Sequence, residues 1–291
     1  MASYKEALEK ANKLTRKKAK ETSATRMLML HFSELNPSDL YLKYEEEMPE
    51  EIYTKYFEAL SQYLEENIPV QQIIGYVYFY GHKFIVNDQV LIPRFETEEL
   101  VVNVLMLYDE YFASKKVDLV DIGTGSGCLA VTLKKEEKNN FNVTATDISV
   151  EALEVAKTNA KNLDVEVEFI AGNMLEPITN RKFDILVSNP PYIPSTEKVD
   201  DIIYDNEPHV ALFGGDDGLK FYREILSGAG QILKPQSVIA FEHGFDKGPE
   251  LRNIAKQYFP HSKIYTFKDM QNLDRMTFIV NGFEGAENGQ D

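Results

Sequence analysis

Residues 117–127 read VDLVDIGTGSG, and this stretch decides the fold. Its first half is rich in Val, Leu and Ile, which predicts a buried strand, and its glycines predict a sharp turn into a helix. Free N–H groups at the start of such a helix point towards a ligand. The spacing is G-x-G-x-G, whereas a dinucleotide-binding loop has G-x-G-x-x-G. Cys128 replaces the last glycine of that pattern, which favours an adenosyl amino acid as the ligand over a pyrophosphate or an empty turn.

Strands and helices alternate from this stretch almost to the end of the chain. The hydrophobic pattern predicts strands at 117–122, 142–147, 165–170, 183–188, 237–242, 263–267 and 276–281. This alternation predicts an α/β fold, a doubly wound Rossmann-like sheet with helices on both faces. The link before the last strand is too short for a parallel crossover, so the last strand is expected to be antiparallel.

The chain before this region has a different texture. Residues 1–73 predict a small N-terminal helical domain, with capping-box spacing at Ser3 and Glu6 and a cap at Asn36 followed by Pro37. Residues 74–92 are rich in β-branched and aromatic side chains and predict a linking β-hairpin. A domain of residues 93–282 follows, and residues 283–291 are expected to form a disordered tail.

Composition excludes several classes of protein. The formal net charge is −16, so direct binding to nucleic acid is not expected. The basic cluster of Arg16, Lys17, Lys18 and Lys20 predicts a solvated helix face, with contact to an RNA-bearing partner as the alternative. The single cysteine, the lack of a signal sequence and the lack of a long apolar run predict a cytoplasmic protein without membrane contact. We expect a monomer that needs no metal, since the histidines lack ligand spacing.

Side chains after the next two strands complete a candidate cofactor site. Asp147 ends the second strand 20 residues after Gly127. Its carboxylate can accept hydrogen bonds from two ribose hydroxyls, or it can cap the helix that starts near Ser149. Asn173 and Met174 follow the third strand, where an adenine would lie, although a plain loop is the alternative. The predicted cofactor-binding residues also include those of the loop itself and one residue after the fourth strand: Gly123, Thr124, Gly125, Ser126, Gly127 and Asn189.

Asn189, Pro190, Pro191 and Tyr192 directly follow the fourth strand. In a sheet of order 3-2-1-4-5 the first and fourth strands are neighbours, so this motif shares a crevice with the glycine loop. The Asn189 side-chain oxygen and the Pro190 carbonyl can accept hydrogen bonds from a planar amide or amino nitrogen, whose lone pair is delocalised. Tyr192 offers a flat face for the target group and for a sulfonium. The motif predicts a methyltransferase that uses S-adenosylmethionine and leaves S-adenosylhomocysteine; a proline-rich strand cap is the alternative.

The sequence resembles the PrmC/HemK family, the protein-(glutamine-N5) methyltransferases of peptide chain release factors. Besides DIGTGSG and NPPYI, the resemblance rests on QQIIGYVYFYGHKFIVNDQVLIPRFETEELV, NEPHVALFGGDDGLKFYREI, FEHGFDKG and LDRMTFIV. It implies methyl transfer to the glutamine of a Gly-Gly-Gln motif in a release factor. By position, residues 123–127, Asp147 and Met174 would hold the cofactor. Residues 189–192 would hold the glutamine amide.

Three positions depart from the family pattern. Phe95 replaces a proline next to Arg94, which is a candidate for substrate binding. Asn173 stands where an acid is common and Met174 where some relatives are aromatic. Two alternatives stay open. One is an adenine-N6 methyltransferase acting on DNA or RNA, which would need a basic groove. The other is a non-catalytic S-adenosylmethionine-binding protein that docks a partner through the helical domain.

Overall fold

A computed structural model describes residues 2–283 of the chain. Contacts divide it into two compact units, one of residues up to Tyr76 with Val199–Asn206, the other of Val77–Lys198 with the residues from Glu207 onward. In chain order the elements are α1 (Tyr4–Lys17), α2 (Ser23–Ser33), α3 (Pro37–Leu42), α4 (Glu50–Glu65), α5 (Val70–Ile74), β1 (Tyr76–Phe79), β2 (His82–Ile85), α6 (Phe95–Phe112), β3 (Val117–Ile122), α7 (Cys128–Glu136), β4 (Phe141–Asp147), α8 (Val150–Asn162), β5 (Glu168–Ala171), β6 (Phe183–Ser188), α9 (Asp201–Asn206), α10 (Lys220–Ile232), β7 (Leu233–Glu242), α11 (Gly248–Tyr258), β8 (Lys263–Lys268) and β9 (Asp274–Asn281).

The first unit is helical, as predicted. The capping box at Ser3 and Glu6 forms in both directions, and the Asn36 side chain accepts hydrogen bonds at the start of α3. Apolar side chains of α4 lie at helical spacing and form one face of the helix. This face packs with α1 and α2 in one core, because burial removes its apolar surface from water. Lys18 of the basic cluster pairs with Glu65 on the unit's surface.

Helix α9 belongs to the first unit although it lies far along the chain. The chain leaves the second unit after Lys198 and returns at Glu207. Ile202 packs against the helical core, and the Asn206 side chain donates to the Asn67 carbonyl at 2.8 Å. Our predicted domain of 93–282 is therefore interrupted by one segment. Sequence pattern alone gives no sign of such an excursion, because it reports periodicity and not which core a short helix joins.

The linking hairpin is shorter than the predicted 74–92. Strands β1 and β2 pair across a tight turn in which Tyr80 and Gly81 both have positive φ, at 51° and 75°. Residues 86–92 form no strand; Val86 and Val90 instead pack beside α8. Asn159 of α8 holds the end of β2 by hydrogen bonds with the N–H and C=O of Ile85, at 2.7 and 3.0 Å.

The second unit contains a seven-stranded sheet of order β5-β4-β3-β6-β7-β9-β8. Strands β3 to β7 are parallel, and β9 is antiparallel to both of its neighbours. The predicted doubly wound, Rossmann-like methyltransferase sheet with an antiparallel last strand is confirmed. Because β3 and β6 are adjacent, the loops that follow them emerge side by side at one edge of the sheet.

Two strands and the tail differ most from the predicted bounds; β4, β8 and β9 differ by one or two residues. Strand β5 begins at Glu168 rather than at residue 165, because the Val165 N–H is bonded to Ala160 at the end of α8. Strand β7 begins at Leu233, ahead of Pro235, and a register shift against β6 accommodates the proline. Phe283, expected in the tail, packs against Tyr111 of α6. The rest of the predicted tail, 284–291, lies outside the described residues.

Candidate active site

A cavity of about 300 Å³ opens at the carboxyl ends of the parallel strands in the second unit. This lies at the lower end of the volumes usual for small-molecule sites. Its walls come from the loop after β3, the end of β4, the loop after β5, the motif after β6 and the start of α6. The walls include Arg94, Thr97, Gly123, Thr124, Gly125, Ser126, Asp147, Asn173, Met174, Asn189 and Pro191. The topology thus brings most of the predicted site residues together.

Two glycines of the loop after β3 line the cavity with their backbone. Gly123 and Gly125 have φ of 73° and 54°, and a Cβ on either would meet no protein atom within 4 Å. Side chains at these positions would be strained and would project into open space beside the loop. The backbone at both positions is therefore accessible to a ligand, as an adenosyl amino acid requires.

Gly127 does not line this cavity. Its φ is 80°, and a Cβ there would approach the Ala156 Cβ at 3.0 Å and the Val131 Cγ2 at 3.3 Å. The third glycine of the motif thus permits the start of α7 to pack against α8. Its predicted contact with the cofactor has no support in this geometry, since sequence spacing cannot separate a glycine needed by a ligand from one needed by a helix.

Asp147 connects the glycine loop after β3 to the start of α8. One carboxyl oxygen accepts the Gly125 N–H at 2.8 Å, and the other accepts the Ser149 N–H at 2.9 Å. Ser149 itself caps α8 by accepting from Ala152. Burial raises the pKa of Asp147, while its two backbone donors oppose that rise. The carboxylate both shapes the glycine loop and lines the cavity, so the two sequence interpretations are compatible.

Asp121, which received no role from the sequence, supports the glycine loop from below the cavity lining. It is fully buried at the end of β3, and one of its oxygens accepts the Thr124 hydroxyl at 2.6 Å. The other oxygen, Oδ1, has no hydrogen-bond partner among the described residues. Burial raises the pKa of Asp121 to about 7. Asp121 lies outside the cavity lining, so its observed role is to hold Thr124 at the start of the glycine loop.

Asn173 and Met174 line the cavity beyond β5, as expected. Met174 adopts a φ of 43°, unusual for a residue with a side chain, and its carbonyl accepts the Thr146 hydroxyl at 3.3 Å. The Asn173 side-chain amide donates over long distances of 3.4 Å to Glu176 and Glu224, while its backbone carbonyl accepts the Glu176 N–H at 3.0 Å. A contact between the Asn173 side chain and a ligand stays a prediction.

The motif after β6 contributes two of its four residues to the cavity wall. Asn189 and Pro191 line it, and the Asn189 Nδ2 donates to the Thr97 hydroxyl oxygen at 3.2 Å. Pro190 is buried and outside the lining. Tyr192 also lies outside it, since its ring packs against the core under α10, where burial raises its pKa. The flat face that we predicted for the target group is therefore not supplied by the Tyr192 ring.

A glycine-rich segment holds the backbone of this motif. Gly214 donates to the Ile193 carbonyl at 2.8 Å, and Ile193 donates to the Leu212 carbonyl at 3.0 Å. A Cβ on Gly214 would overlap the Pro191 carbonyl oxygen, and one on Gly218 would overlap that of Tyr192. The sequence GGDDG therefore works as a close backbone support for the motif, a role that its turn-like composition did not reveal.

Arg94 is partly committed to an ion pair. Its guanidinium lies 2.5 Å from the carboxylate of Glu207, which is buried and also accepts the Ile92 N–H at 3.0 Å. This pair ties the start of α6 to the segment that carries Val210 and Ala211 into the cavity wall. Arg94 lines the cavity, the neighbouring Phe95 is largely exposed, and substrate binding by Arg94 stays a prediction.

Other candidate groups have structural partners. His243 is buried, bonded to Thr277 at 2.9 Å and to the Gly244 carbonyl at 2.8 Å. Cys128 lines the cavity, and burial raises the pKa of its thiol to about 12, which keeps it protonated. Between residues 2 and 283 no three His, Cys, Asp or Glu side chains cluster as metal ligands would. In the same span no helix is both long and apolar enough to cross a bilayer.

Known proteins resemble the chain over nearly its full length. Residues 6–75 match the PrmC N-terminal domain, and residues 99–206 match the methyltransferase small domain. The release factor glutamine methyltransferase of Bacillus cereus is 39% identical over 277 residues, which cover 94% of this chain and 97% of that protein. Its counterpart in Bacillus subtilis is 38% identical over 275 residues, covering 93% and 95%.

A solved structure supports the fold alone. The methyltransferase from Pyrococcus furiosus matches with a TM-score of 0.51 and 20% identity, over 70% of this chain and 90% of that chain. Identity of 39% along almost all of both chains decides the family, and it agrees with a cavity that joins the glycine loop to Asn189. The chain belongs to the release factor glutamine methyltransferases.

Proposed function

We propose that this enzyme transfers a methyl group from S-adenosylmethionine to the side-chain nitrogen N5 of the glutamine in a Gly-Gly-Gln motif of a release factor. The observation that carries the proposal is one cavity lined by both the glycine loop and Asn189. Methyl transfer needs donor and acceptor to be held together, and a shared cavity provides that proximity.

The cofactor half of the cavity fits S-adenosylmethionine. When bound, this cofactor supplies an electrophilic methyl group on a positively charged sulfur. Gly123, Gly125 and Asp147 would hold its amino acid and ribose groups, because the glycines expose backbone and the carboxylate accepts hydroxyl protons. Asn173 and Met174 would contact the adenine, the first with a polar group and the second with an apolar one.

The substrate half would orient a glutamine amide. The Asn189 Nδ2 donates a hydrogen bond to Thr97, so the Asn189 Oδ1 is left to accept a hydrogen bond from the N–H of the glutamine amide. In this proposal the second acceptor is the carbonyl of Pro190, which lies outside the lining between two residues that form it, Asn189 and Pro191. Arg94 also lines the cavity. Two acceptors aimed at one nitrogen favour a pyramidal geometry with a localised lone pair. Rate enhancement then comes from preorganised polarity.

The helical unit would dock the release factor. The residues that line the cavity all belong to the second unit. Residues 6–75, which include nearly all of the first unit's N-terminal helices, match the PrmC N-terminal domain. A single glutamine side chain offers little surface for recognition, so a separate docking unit is a physical need. A monomeric state and a cytoplasmic location remain predictions.

Mass spectrometry of a co-incubated release factor tests the function. The purified enzyme is mixed with S-adenosylmethionine and a release factor, and the expected product is one added methyl group on the Gly-Gly-Gln peptide. The matched substrate has that glutamine replaced by alanine and should stay unmodified. Adenine-containing DNA and RNA form the competing arm. Methylation of the nucleic acid with an unmodified release factor would overturn the proposal in favour of an adenine-N6 enzyme.

A further inference from the structure

Glu242 is a buried acid that the proposed reaction has not used. It ends β7, directly beside the end of β6, and is 1% exposed. Its Oε2 has no hydrogen-bond partner among residues 2–283. A buried carboxyl with an unmade bond is costly, so its retention beside the active site calls for a functional reason.

The nearest donors to this carboxyl belong to the active site. Ser188 and Phe241 are partners at the ends of β6 and β7, so the residues that follow them, Asn189 and Glu242, lie side by side. Hydrogen bonding from Thr97 and Asn189 also opposes the rise in the pKa of Glu242. The Asn189 Nδ2 in turn donates to the Thr97 Oγ1 at 3.2 Å. Thr97 is itself buried in the first turn of α6. Glu242 and Thr97 are buried and Asn189 is half-buried, so three polar groups lie next to one another, and one of them is the amide assigned to the substrate.

We propose that Glu242 is a positioning residue. Its carboxylate accepts a hydrogen bond from the Thr97 hydroxyl and thereby fixes which way the Asn189 amide faces. A hydroxyl has one proton and can also accept. If Thr97 donates to Glu242, its oxygen must accept from Asn189, so the Asn189 nitrogen turns inward. The Asn189 oxygen is then left for the substrate. This inference rests on the proposed function, because the amide orientation matters only if Asn189 meets an N–H group.

Without the carboxylate, the hydrogen-bond chain can reverse. Thr97 could donate its proton to the Asn189 oxygen, and the flipped amide would present its own N–H groups to the cavity. Two N–H groups facing each other cannot bond, so the substrate nitrogen would lose an acceptor. The charge on Glu242 makes it the stronger acceptor for Thr97 and disfavours this reversal.

The inference predicts a dependence on pH. Burial raises the pKa of Glu242 to about 7, an effect opposed by Thr97, Arg275 and Asn189 and reinforced by Glu96. The other titratable groups that face it are Cys128, Tyr192 and Tyr222, with His243 next in sequence. Protonated Glu242 carries no charge, so it is a weaker acceptor for the hydrogen bond from the Thr97 hydroxyl. The turnover number should therefore rise as pH increases through about 7.

The test uses the full-length enzyme with a release factor at saturating concentration. Glu242→Ala and Thr97→Val should each lower kcat, by about 10- to 100-fold if the loss resembles that of other indirect positioning partners. Cofactor affinity should change little. Because both variants break one chain of hydrogen bonds, the double variant should be hardly worse than either single one. Glu242→Gln keeps an acceptor oxygen, so it should recover part of the activity and lose the pH dependence of kcat.

Matched controls separate this role from loss of stability. Ser237 lies in the middle of β7, five residues before Glu242, and Thr132 lies on α7; among residues 2–283 neither buried hydroxyl has a hydrogen-bond partner, so Ser237→Ala and Thr132→Val are suitable controls. Neither should alter kcat or its pH dependence. Wild-type kcat in Glu242→Ala, additive effects in the double variant, or an unchanged pH profile in Glu242→Gln would each overturn the inference. A wild-type enzyme that does not methylate the release factor would instead overturn the proposed function.

Discussion

Replacing Gly214 by alanine should slow catalysis while sparing cofactor binding. Gly214 is buried, and a Cβ there would overlap the Pro191 carbonyl oxygen and lie 2.9 Å from the Tyr192 Cα. Both neighbours are backbone atoms of the motif that carries Asn189, so relief of the overlap requires that motif to move. The Asn189 oxygen would then move relative to its target.

The size of the effect follows from that displacement. Separating the new methyl group from a carbonyl oxygen requires a shift of roughly 1 Å, and misplacement on that scale costs on the order of 100-fold in rate. The atoms nearest to a Cβ on Gly214 belong to Pro191, Tyr192 and Gly218, none of which is assigned to the cofactor. Affinity for S-adenosylmethionine should therefore stay within about twofold of wild type, a difference below 0.5 kcal/mol. The assay is kcat from methyl transfer to a release factor, with calorimetry for the cofactor.

Gly230→Ala is the matched control for this variant. Gly230 is an exposed residue of α10, and a Cβ there would meet no atom within 4 Å. It should leave kcat unchanged and stabilise the helix by about 0.5–1 kcal/mol, the usual gain for alanine over glycine. A kcat for Gly214→Ala equal to that of Gly230→Ala would refute the view that the glycine segment positions the motif.

Three further outcomes are expected. Asp147→Ala should weaken S-adenosylmethionine binding about 10- to 100-fold, since bonds to a charged acceptor contribute about 1.5–3 kcal/mol; unchanged binding in calorimetry would remove this residue from the site. Asn189→Ala should lower kcat about 10²–10³-fold, with Asn189→Asp retaining more activity, because the side-chain acceptor survives; a near wild-type rate for Asn189→Ala would make the motif a strand cap. A chelator should not affect turnover, and restoration of a lost activity by zinc or magnesium would show that a metal site exists.

The sequence was informative wherever the local pattern determines the structure. The strand before the glycine loop, the reversal of the last strand and the sharing of one crevice by Asp147 and Asn189 all followed from hydrophobic period, link length and sheet topology. These features depend on short-range rules that hold in any parallel sheet. The capping box at Ser3 was predictable for the same reason, since it involves residues only three apart.

Contacts between distant segments were not predictable in this way. The roles of Gly214 and Glu242 depend on how backbones separated by tens of residues approach one another, and a single sequence carries no record of those distances. The orientation of Tyr192 is a related case: an aromatic residue in a catalytic motif can face the cavity or the core, and both satisfy the same pattern. Gly127 shows the same ambiguity for a glycine.

The two buried acids near the site should make the enzyme less stable as pH rises. The pKa of both Asp121 and Glu242 is about 7, raised above the ordinary range mainly by burial. A raised pKa in the folded state means that the associated stability is present at low pH and is lost as pH increases through about 7.

Glu242→Gln isolates one of these acids, because Asp121 remains to titrate. Between pH 5 and pH 8 the free energy of unfolding of wild type should fall relative to the variant by on the order of 2–3 kcal/mol, since each pKa unit corresponds to about 1.4 kcal/mol. Burial of the new Gln side chain changes the stability of the variant by the same amount at both pH values. That change therefore cancels when the two pH values are compared. Chemical denaturation at both pH values measures the difference, with Ser237→Ala as the control that should follow wild type. Parallel curves for wild type and Glu242→Gln would mean that Glu242 does not titrate in this range. In that case its carboxylate could not be the source of a pH-dependent kcat. A difference of the expected sign would mean that the enzyme is most stable at the pH where its active-site amide is least well held.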